Sequence, residues 1–208
     1  ICHLSVMTCI QQSVMNLGIL LVQRLVDSFG AVTMAAFAAA VKIDSFAYLP
    51  VQDFGNAFST FTAQNYGAGQ SSRIKEALKK ATILSAAFSS AAAAAVFIFA
   101  EPLMRIFVSA SETEVIAAGV RYLHIEGVFY AGIGCLFLLY GFYRAVEKPG
   151  MSVVLTVISL GTRVLLAYLL AGIIGETGIW ISVPIGWLLA DITGYGYCIL
   201  KRKRLFSD

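Results

Sequence analysis

Long uncharged apolar runs, separated by short polar breaks, dominate the pattern of hydrophobic and polar positions. A helix that crosses a bilayer needs about 20 largely apolar residues. Six runs reach that length, and the breaks between them hold the glycine, proline and charged residues that are typical of helix ends. The pattern predicts six transmembrane helices at about residues 2–26, 32–63, 81–100, 115–146, 151–174 and 178–200. The predicted fold class is an all-α polytopic membrane protein, with residues 1–208 forming one bundle of six transmembrane helices.

Prolines and small residues refine this prediction. Pro50 lies inside the second run and removes a backbone hydrogen bond, so it predicts a kink or local unwinding. The pair Glu101-Pro102 is expected to close the third span. Small residues recur at four-residue spacing and predict close helix packing; they are Ser85, Ser89 and Ala93, and then Gly186, Ala190 and Gly194.

Lysine and arginine are concentrated in alternate breaks and at the end of the chain. They are Arg73, Lys75, Lys79 and Lys80, then Arg144 and Lys148, and finally Lys201 to Arg204. The other breaks hold most of the acidic loop residues. Because basic loops stay on the cytoplasmic side, we expect a multi-pass protein of the cell (plasma) membrane with both chain ends cytoplasmic.

Composition excludes several other classes of protein. Of the 208 residues, 59% are hydrophobic and 13% are charged, which is about half the charged fraction of soluble domains. The net charge of +3 is scattered, so no nucleic-acid partner is expected. The four cysteines lack metal-site spacing and are interpreted as packing residues. No H-E-x-x-H or G-x-S-x-G motif occurs, and the sequence predicts neither an enzyme nor a bound cofactor.

Two carboxylates within the spans predict an ion-coupling site. A charge near the bilayer centre costs at least about 2.5 kcal/mol, so each one needs an explanation. Asp53 follows Pro50 by three residues on the same helical face, and Glu126 lies about a third of the way along the fourth span. Neither has an obvious basic neighbour in the sequence. Each could exchange protons or hold sodium, and a structural hydrogen bond from a protonated side chain is the alternative.

Four further intramembrane charges are interpreted as structural. Lys42 and Asp44 are two residues apart, so they point to different helix faces and each needs a partner on another span. Arg163 and Asp191 lie in the middle of adjacent antiparallel spans. We expect these two to pair with each other or with another buried polar group, in a salt bridge that positions helices.

Neutral amides form a polar stripe along the first span. Gln12, Asn16 and Gln23 approximate one helical face, which should face protein or a water-filled cavity. Amides suit a cavity that accepts varied ligands, although interhelical hydrogen bonds explain them equally well. Aromatic residues such as Tyr130 could line a cation-accepting cavity.

Three stretches resemble the MATE (multidrug and toxic compound extrusion) family. Residues 26–70, VDSFGAVTMAAFAAAVKIDSFAYLPVQDFGNAFSTFTAQNYGAGQ, are similar to its long second helix with the terminal Q-N-x-G-A-G signature. Residues 139–170, LYGFYRAVEKPGMSVVLTVISLGTRVLLAYLL, resemble its G-x-x-R-A segment and the helix that follows. Residues 178–191, GIWISVPIGWLLAD, look like its last span. The order of the three stretches fits the carboxy-terminal six-helix lobe of that family.

The resemblance implies a cation-coupled antiporter that exports amphipathic, often cationic drugs and toxic compounds by alternating access. It further implies membrane lipid as surroundings and a missing amino-terminal six-helix lobe as partner. Some sodium-coupled relatives carry acidic residues in the first and fourth spans of this lobe, where this chain has Gln12 and Asn16 and apolar residues around Ile133. The coupling ion, sodium or proton, therefore stays open.

A lipid-linked oligosaccharide flippase of the same superfamily is the alternative. Such a protein should show a more cationic central cavity, which suits pyrophosphate-bearing headgroups. The intramembrane charges here are mixed in sign and the amide stripe is neutral. This pattern favours the exporter.

Overall fold

The computed structural model describes residues 2–201 together with Leu205. This part of the chain forms seven α-helices: α1 (Cys2–Asp27), α2 (Ala31–Gly67), α3 (Ser71–Phe107), α4 (Thr113–Gly127), α5 (Tyr130–Ala145), α6 (Pro149–Ile174) and α7 (Glu176–Leu200). Five of them are each long and apolar enough to cross a membrane, and α4 with α5 meets the same criterion as a bent pair. Large apolar side chains such as Phe46 and Ile173, each 77% exposed, cover the outside of the bundle. The all-α polytopic membrane class is confirmed.

Helix α3 extends well beyond its predicted span of 81–100, whereas α2 exceeds its predicted span of 32–63 by five residues. Each has 37 residues, about 55 Å of helix against an apolar bilayer core of about 30 Å. Hydropathy identifies only the segment of a helix that lies in the apolar bilayer core. The helix itself can continue beyond the bilayer core, where its side chains are polar. The first turns of α3 illustrate this, because Lys80 there pairs with Glu76 one turn earlier, at 2.6 Å.

The prolines inside α2 and α3 differ in their effect on the helix. Helix α2 is continuous through Pro50, so it is not unwound there, and the alternative of a kink at Pro50 stays a prediction. The predicted end at Glu101-Pro102 is wrong, since α3 continues to Phe107. Within α3, Phe99 has non-helical backbone angles (φ −103°, ψ 15°) three residues before Pro102. A proline clashes with the preceding turn and cannot donate to it, which accounts for this distortion.

The fourth predicted span, 115–146, is two helices. Helices α4 and α5 meet at an angle of 55°, and Val128 and Phe129 lie between them. Two short-range bonds satisfy backbone groups there: the Phe129 N–H donates to the Glu126 carbonyl at 2.9 Å, and the Gly132 N–H donates to the Phe129 carbonyl at 2.8 Å. Val128 and Phe129 are themselves neither proline nor glycine, although Gly127, the last residue of α4, directly precedes them.

The break separates two apolar clusters of the core. One cluster includes Leu123 of α4 and Trp180 of α7. The other includes Phe142 and Tyr143 of α5 together with Leu155 of α6. Polar groups that α4 and α5 carry close to the break are therefore buried between two apolar regions.

Contacts between distant segments show which breaks share an end of the bundle. The Thr33 hydroxyl donates to Glu176 at 2.7 Å, and Arg121 pairs with the other carboxylate oxygen of Glu176 at 3.1 Å. The starts of α2 and α7 thus lie at one end. Elsewhere in the bundle, Arg144 in the last turn of α5 donates to Asn56 in the second half of α2 at 3.1 Å. The orientation of the breaks relative to the membrane stays a prediction. Three residues of the predicted basic tail, 202–204, lie outside the described residues.

Small residues bring α6 and α7 into close contact, as predicted from their spacing. Gly186 of α7 lies against the Ser159 carbonyl of α6, so closely that a Cβ would clash with the carbonyl oxygen. Ala190 is fully buried. Gly194 packs against Leu139 and Leu155. The stripe is a packing face and not a binding site.

We expect Gly186→Ala to destabilise the bundle by about 1 to 3 kcal/mol, because the added methyl group must force backbone or side chains apart. Gly196→Ala is the matched control on the same helix, since a Cβ at Gly196 meets nothing within 4 Å and alanine favours helix. Thermal unfolding of the protein in detergent measures both. Equal melting temperatures for the two variants would contradict the packing assignment.

Candidate functional site

Asp44 is buried beside the break between α4 and α5. Its side chain extends from α2 and is 5% exposed. The Tyr122 hydroxyl donates to Asp44 Oδ2 at 2.7 Å, and the Tyr130 hydroxyl donates to Oδ1. Tyr122 belongs to α4 and Tyr130 is the first residue of α5. One carboxyl group thus connects the two halves of the broken span.

Glu126 lies in the last turn of α4, four residues after Tyr122 and on the same face. It is 3% exposed. Its Oε1 atom has no hydrogen-bond partner among the described residues, although Asp44 and the Tyr122 hydroxyl lie close enough to act on it electrostatically. Leaving a buried acceptor unsatisfied costs about 1 to 3 kcal/mol, and more for a charged group.

Two further residues surround these carboxyl groups. Arg163 extends from α6, is half-buried, and acts electrostatically on both Asp44 and Glu126. Trp180 of α7 is fully buried, and its ring meets that of Tyr122 edge-on at 5.0 Å. Within the described part of the chain, Arg163 Nε and Trp180 Nε1 have no hydrogen-bond acceptor.

Five helices supply the residues of this group, which we call the buried polar cluster: Asp44, Tyr122, Glu126, Tyr130, Arg163 and Trp180. The unpaired Glu126 Oε1 can accept a proton or a cation. Residues 2–201 and 205 contain no group of three or more His, Cys, Asp or Glu side chains placed to hold a metal ion. A buried carboxyl group of this kind is chemically able to exchange a proton or a monovalent cation.

Arg163 and Asp191 do not pair with each other. No ion pair within 4.0 Å joins them in the described structure, and Asp191 Oδ1 has no hydrogen-bond partner there. Asp191 instead faces Gly132 of α5, and it lies near Cys135 and Tyr195. Arg163 Nε has no hydrogen-bond partner among the described residues, so the alternative pairing with another buried polar group stays a prediction.

Lys42 and Asp44 point to different faces of α2, as their spacing predicts. Lys42 is exposed in this chain, and its Nζ lies 5.9 Å from the ring centroid of Phe107 at the end of α3. Asp44 points inward to α4 and α5. Both therefore have neighbours on other spans.

The remaining predicted site residues lie on the surface of this bundle. Asp53 is exposed on α2, so it is not a second acid buried with Glu126. The amides Gln12, Asn16 and Gln23 are exposed on α1. The structure thus divides the predicted residues between a buried group that contains Glu126 and two exposed helix faces.

Sequence reasoning missed the tyrosine and tryptophan residues of the cluster, with Tyr130 considered only as a general cavity residue. A signal for Tyr122 was present, because a four-residue spacing from Glu126 places the two side chains on one helical face. No spacing in the sequence predicts the hydrogen bonds from Tyr122 and Tyr130 to Asp44. They depend on how α2 packs against α4 and α5.

Comparisons with known proteins match the chain to part of longer transporters. A MatE family model matches residues 4–169. The chain is 27% identical over 203 residues to the probable multidrug resistance protein YpnP of Bacillus subtilis (strain 168), covering 96% of this chain and 45% of that protein. It is 28% identical over 163 residues to a FAD transporter of Shewanella oneidensis, covering 78% of this chain and 36% of that protein.

Solved structures of transporters share this fold. The MATE transporter VcmN of Vibrio cholerae in the bent form superposes with a TM-score of 0.85 at 21% identity, covering 95% of this chain and 45% of that one. A MOP superfamily transporter from Pyrococcus furiosus superposes with a TM-score of 0.89 at 19% identity, covering 98% and 46%. The chain thus spans less than half the length of the relatives it matches.

We expect Tyr122→Phe and Tyr130→Phe each to destabilise the protein by about 1 to 3 kcal/mol, because each leaves an oxygen of Asp44 buried without its donor. Tyr66→Phe is the control, since Tyr66 is 37% exposed at the end of α2. Unfolding in detergent measures all three variants. Unchanged stability of both cluster variants would show that these hydroxyls do not hold Asp44.

Proposed function

The chain belongs to the MatE family, and from that membership we propose that it is one lobe of a cation-coupled exporter of amphipathic, often cationic compounds. Its match to 45% of the length of YpnP, with nearly the whole of this chain covered, supports a single six-span lobe. The order of the three sequence stretches supports the carboxy-terminal lobe. The multidrug resistance names of its relatives support the substrate class.

One observation carries the cation coupling: Glu126 is buried beside a broken span with an unpaired carboxyl oxygen. An intramembrane acid is costly to keep. A purely structural acid would be expected to have its oxygens satisfied, as those of Asp44 are. Broken helices near the membrane midplane also form the ion sites of other secondary transporters. Glu126 is therefore the residue we assign to coupling in this lobe.

The exposed polar faces of α1 and α2 are the proposed wall of the substrate cavity. Asp53 and the amides Gln12, Asn16 and Gln23 are exposed in this chain, yet they occur in spans that must cross apolar lipid. Polar groups within a membrane face protein or water. A cavity shared with the amino-terminal lobe provides both.

Export then follows from alternating access between the two lobes. Cation binding and substrate binding favour different states of the transporter, and the coupling free energy between them drives the exchange. One elementary charge moved through 100 mV supplies about 2.3 kcal/mol, which corresponds to a concentration ratio of about 50-fold.

Anionic cargo is the second candidate, and the 28% identity to a FAD transporter favours it. A flippase for lipid-linked oligosaccharide would likewise need cationic groups for its pyrophosphate. In this chain Arg163 is half-buried near two carboxyl groups, and Asp53 adds negative charge to the exposed face of α2. Cationic cargo therefore fits the exposed residues better.

For transport, the complete protein is reconstituted in liposomes with a fluorescent cationic dye, under imposed sodium or proton gradients. We expect gradient-driven dye flux in the wild type and its loss in Glu126→Gln. Asp53→Asn tests the exposed face and is expected to weaken dye transport without abolishing coupling. Glu76→Gln, on the exposed first turns of α3, is the control. Flux that survives Glu126→Gln would place coupling elsewhere, and uptake of FAD in place of dye would support the anionic candidate.

For orientation, we propose that the basic breaks are cytoplasmic in the plasma membrane. In a background without the native cysteines, Lys79→Cys should react with a membrane-impermeant maleimide only from the cytoplasmic side. Glu112→Cys should react only from outside, because alternate breaks lie on opposite sides. The reverse pattern in intact cells would invert the proposed topology.

A further inference from the structure

A cavity of about 360 Å³ opens between the first half of α2, the end of α3 and the start of α4. Pockets that hold small ligands in proteins begin at about 300 Å³. One wall consists of alanines at helical spacing, whose small side chains leave the space open, and two side chains of opposite charge line the cavity with them. These residues are Ala35, Ala38 and Ala39, with Lys42 and Glu112. None of them belongs to the buried polar cluster.

Lys42 brings a positive charge to this cavity from within a membrane span. It is exposed, and no carboxyl group among the described residues lies within 4.0 Å of its Nζ. Helical side chains are directed toward the N-terminal end of their helix, and the Nζ of Lys42 lies 5.9 Å from the ring centroid of Phe107, the last residue of α3. A cation in a span is costly and indicates a binding partner. The partner of Lys42 therefore comes from outside the described chain.

Glu112 brings a negative charge to the same cavity. It is exposed in the break between α3 and α4, and its side chain forms no hydrogen bond that caps α4. Lys42 and Glu112 line one cavity without forming an ion pair in the described part of the chain. An anionic ligand would pair only with Lys42, and a cationic ligand only with Glu112. A ligand that carries both charges pairs with each of them.

We propose that this cavity binds the headgroup of phosphatidylethanolamine, with the phosphate at Lys42 and the ammonium group at Glu112. Apolar surface continues from the cavity at the end of α3, where Ile106 is 71% exposed and Phe107 is 41% exposed. The acyl chains lie along these two side chains. A lysine that runs its apolar stem along a helix and places its amine beside lipid phosphates is typical of a membrane interface. The inference goes beyond the exporter function and rests on the membrane fold alone.

Headgroup chemistry distinguishes this lipid from other phospholipids. A primary ammonium group offers three N–H donors to a carboxylate, as lysine does, whereas the quaternary ammonium of phosphatidylcholine offers none. The headgroup of phosphatidylglycerol pairs with Lys42 but leaves Glu112 without a cation. Only the ethanolamine headgroup of these three both neutralises Lys42 and donates hydrogen bonds to Glu112.

Native mass spectrometry of the complete protein tests the proposal without cargo or an ion gradient. The protein is released from micelles that contain phosphatidylethanolamine, phosphatidylcholine and phosphatidylglycerol in equal amounts and with identical acyl chains. We expect one phosphatidylethanolamine to be retained about tenfold more than either other lipid, because a hydrogen bond to a charged group contributes about that factor to binding.

Five variants connect this preference to the cavity. Lys42→Gln should weaken retention of all three lipids, and Glu112→Gln should remove the distinction between ethanolamine and choline. Ala38→Leu fills the groove without a change of charge and should also reduce retention. Lys79→Gln near the opposite end of α3 and Glu114→Gln in the first turn of α4 are the matched controls, because both residues are exposed outside the cavity. Both controls should keep the preference.

Equal retention of the three lipids by the wild type would overturn the proposal, and this result is also expected if the amino-terminal lobe covers the cavity. A preference that survives in Lys42→Gln or Glu112→Gln would overturn it as well. The substituted side chains are exposed, and melting temperatures equal to that of the wild type confirm that the variants fold. Displacement by the same concentration of soluble glycerophosphoethanolamine would identify a small zwitterion as the ligand and refute the lipid. None of these results alters the proposed exporter, which dye flux tests separately.

Discussion

The bonds from Tyr122 and Tyr130 to Asp44 are the contact on which the broken span depends. In hydrocarbon, each backbone polar group must find its partner within the protein, so an interrupted helix needs compensation. Two short-range backbone bonds satisfy groups at the interruption, but they do not fix the direction of α5 relative to α4. Asp44 does so, because it binds a tyrosine from each side of the break. Asp44 on α2 therefore fixes the 55° bend between α4 and α5.

Hydropathy identified the spans but not the helices. It found where the chain is apolar, and it missed the polar continuation of α3 before Lys80, because a helix need not end where the membrane ends. It also treated Pro50 and Pro102 as local breakers. The actual interruption at Val128 and Phe129 follows Gly127, a residue that sequence analysis did not single out, and contacts with other helices hold it. Tertiary contacts of this kind leave no periodic trace in one sequence.

The candidate site was predictable in part for the same reason. Spacing along one helix shows which residues share a face, and it correctly separated Lys42 from Asp44. Spacing cannot show which helix that face meets. Asp53 and Asp44 are both acids in the second span, and only the packing of α2 against α4 and α5 buries one and leaves the other exposed. Likewise, similar depth made Asp191 a plausible partner for Arg163, while the actual neighbours come from helices distant in sequence.

A buried acid with an unpaired oxygen differs in kind from a structural salt bridge. Glu126 has an oxygen without a hydrogen-bond partner among the described residues, and an unpaired buried charge costs several kcal/mol. In the proposed exporter, binding of the coupling cation to Glu126 would offset that cost. A membrane potential of 100 mV supplies about 2.3 kcal/mol per charge, which is of the same order. In the proposed transport cycle, occupancy of Glu126 would therefore respond to the gradient. Because Tyr122 on the same helical face donates to Asp44, a change at Glu126 would reach the contact that holds the bend.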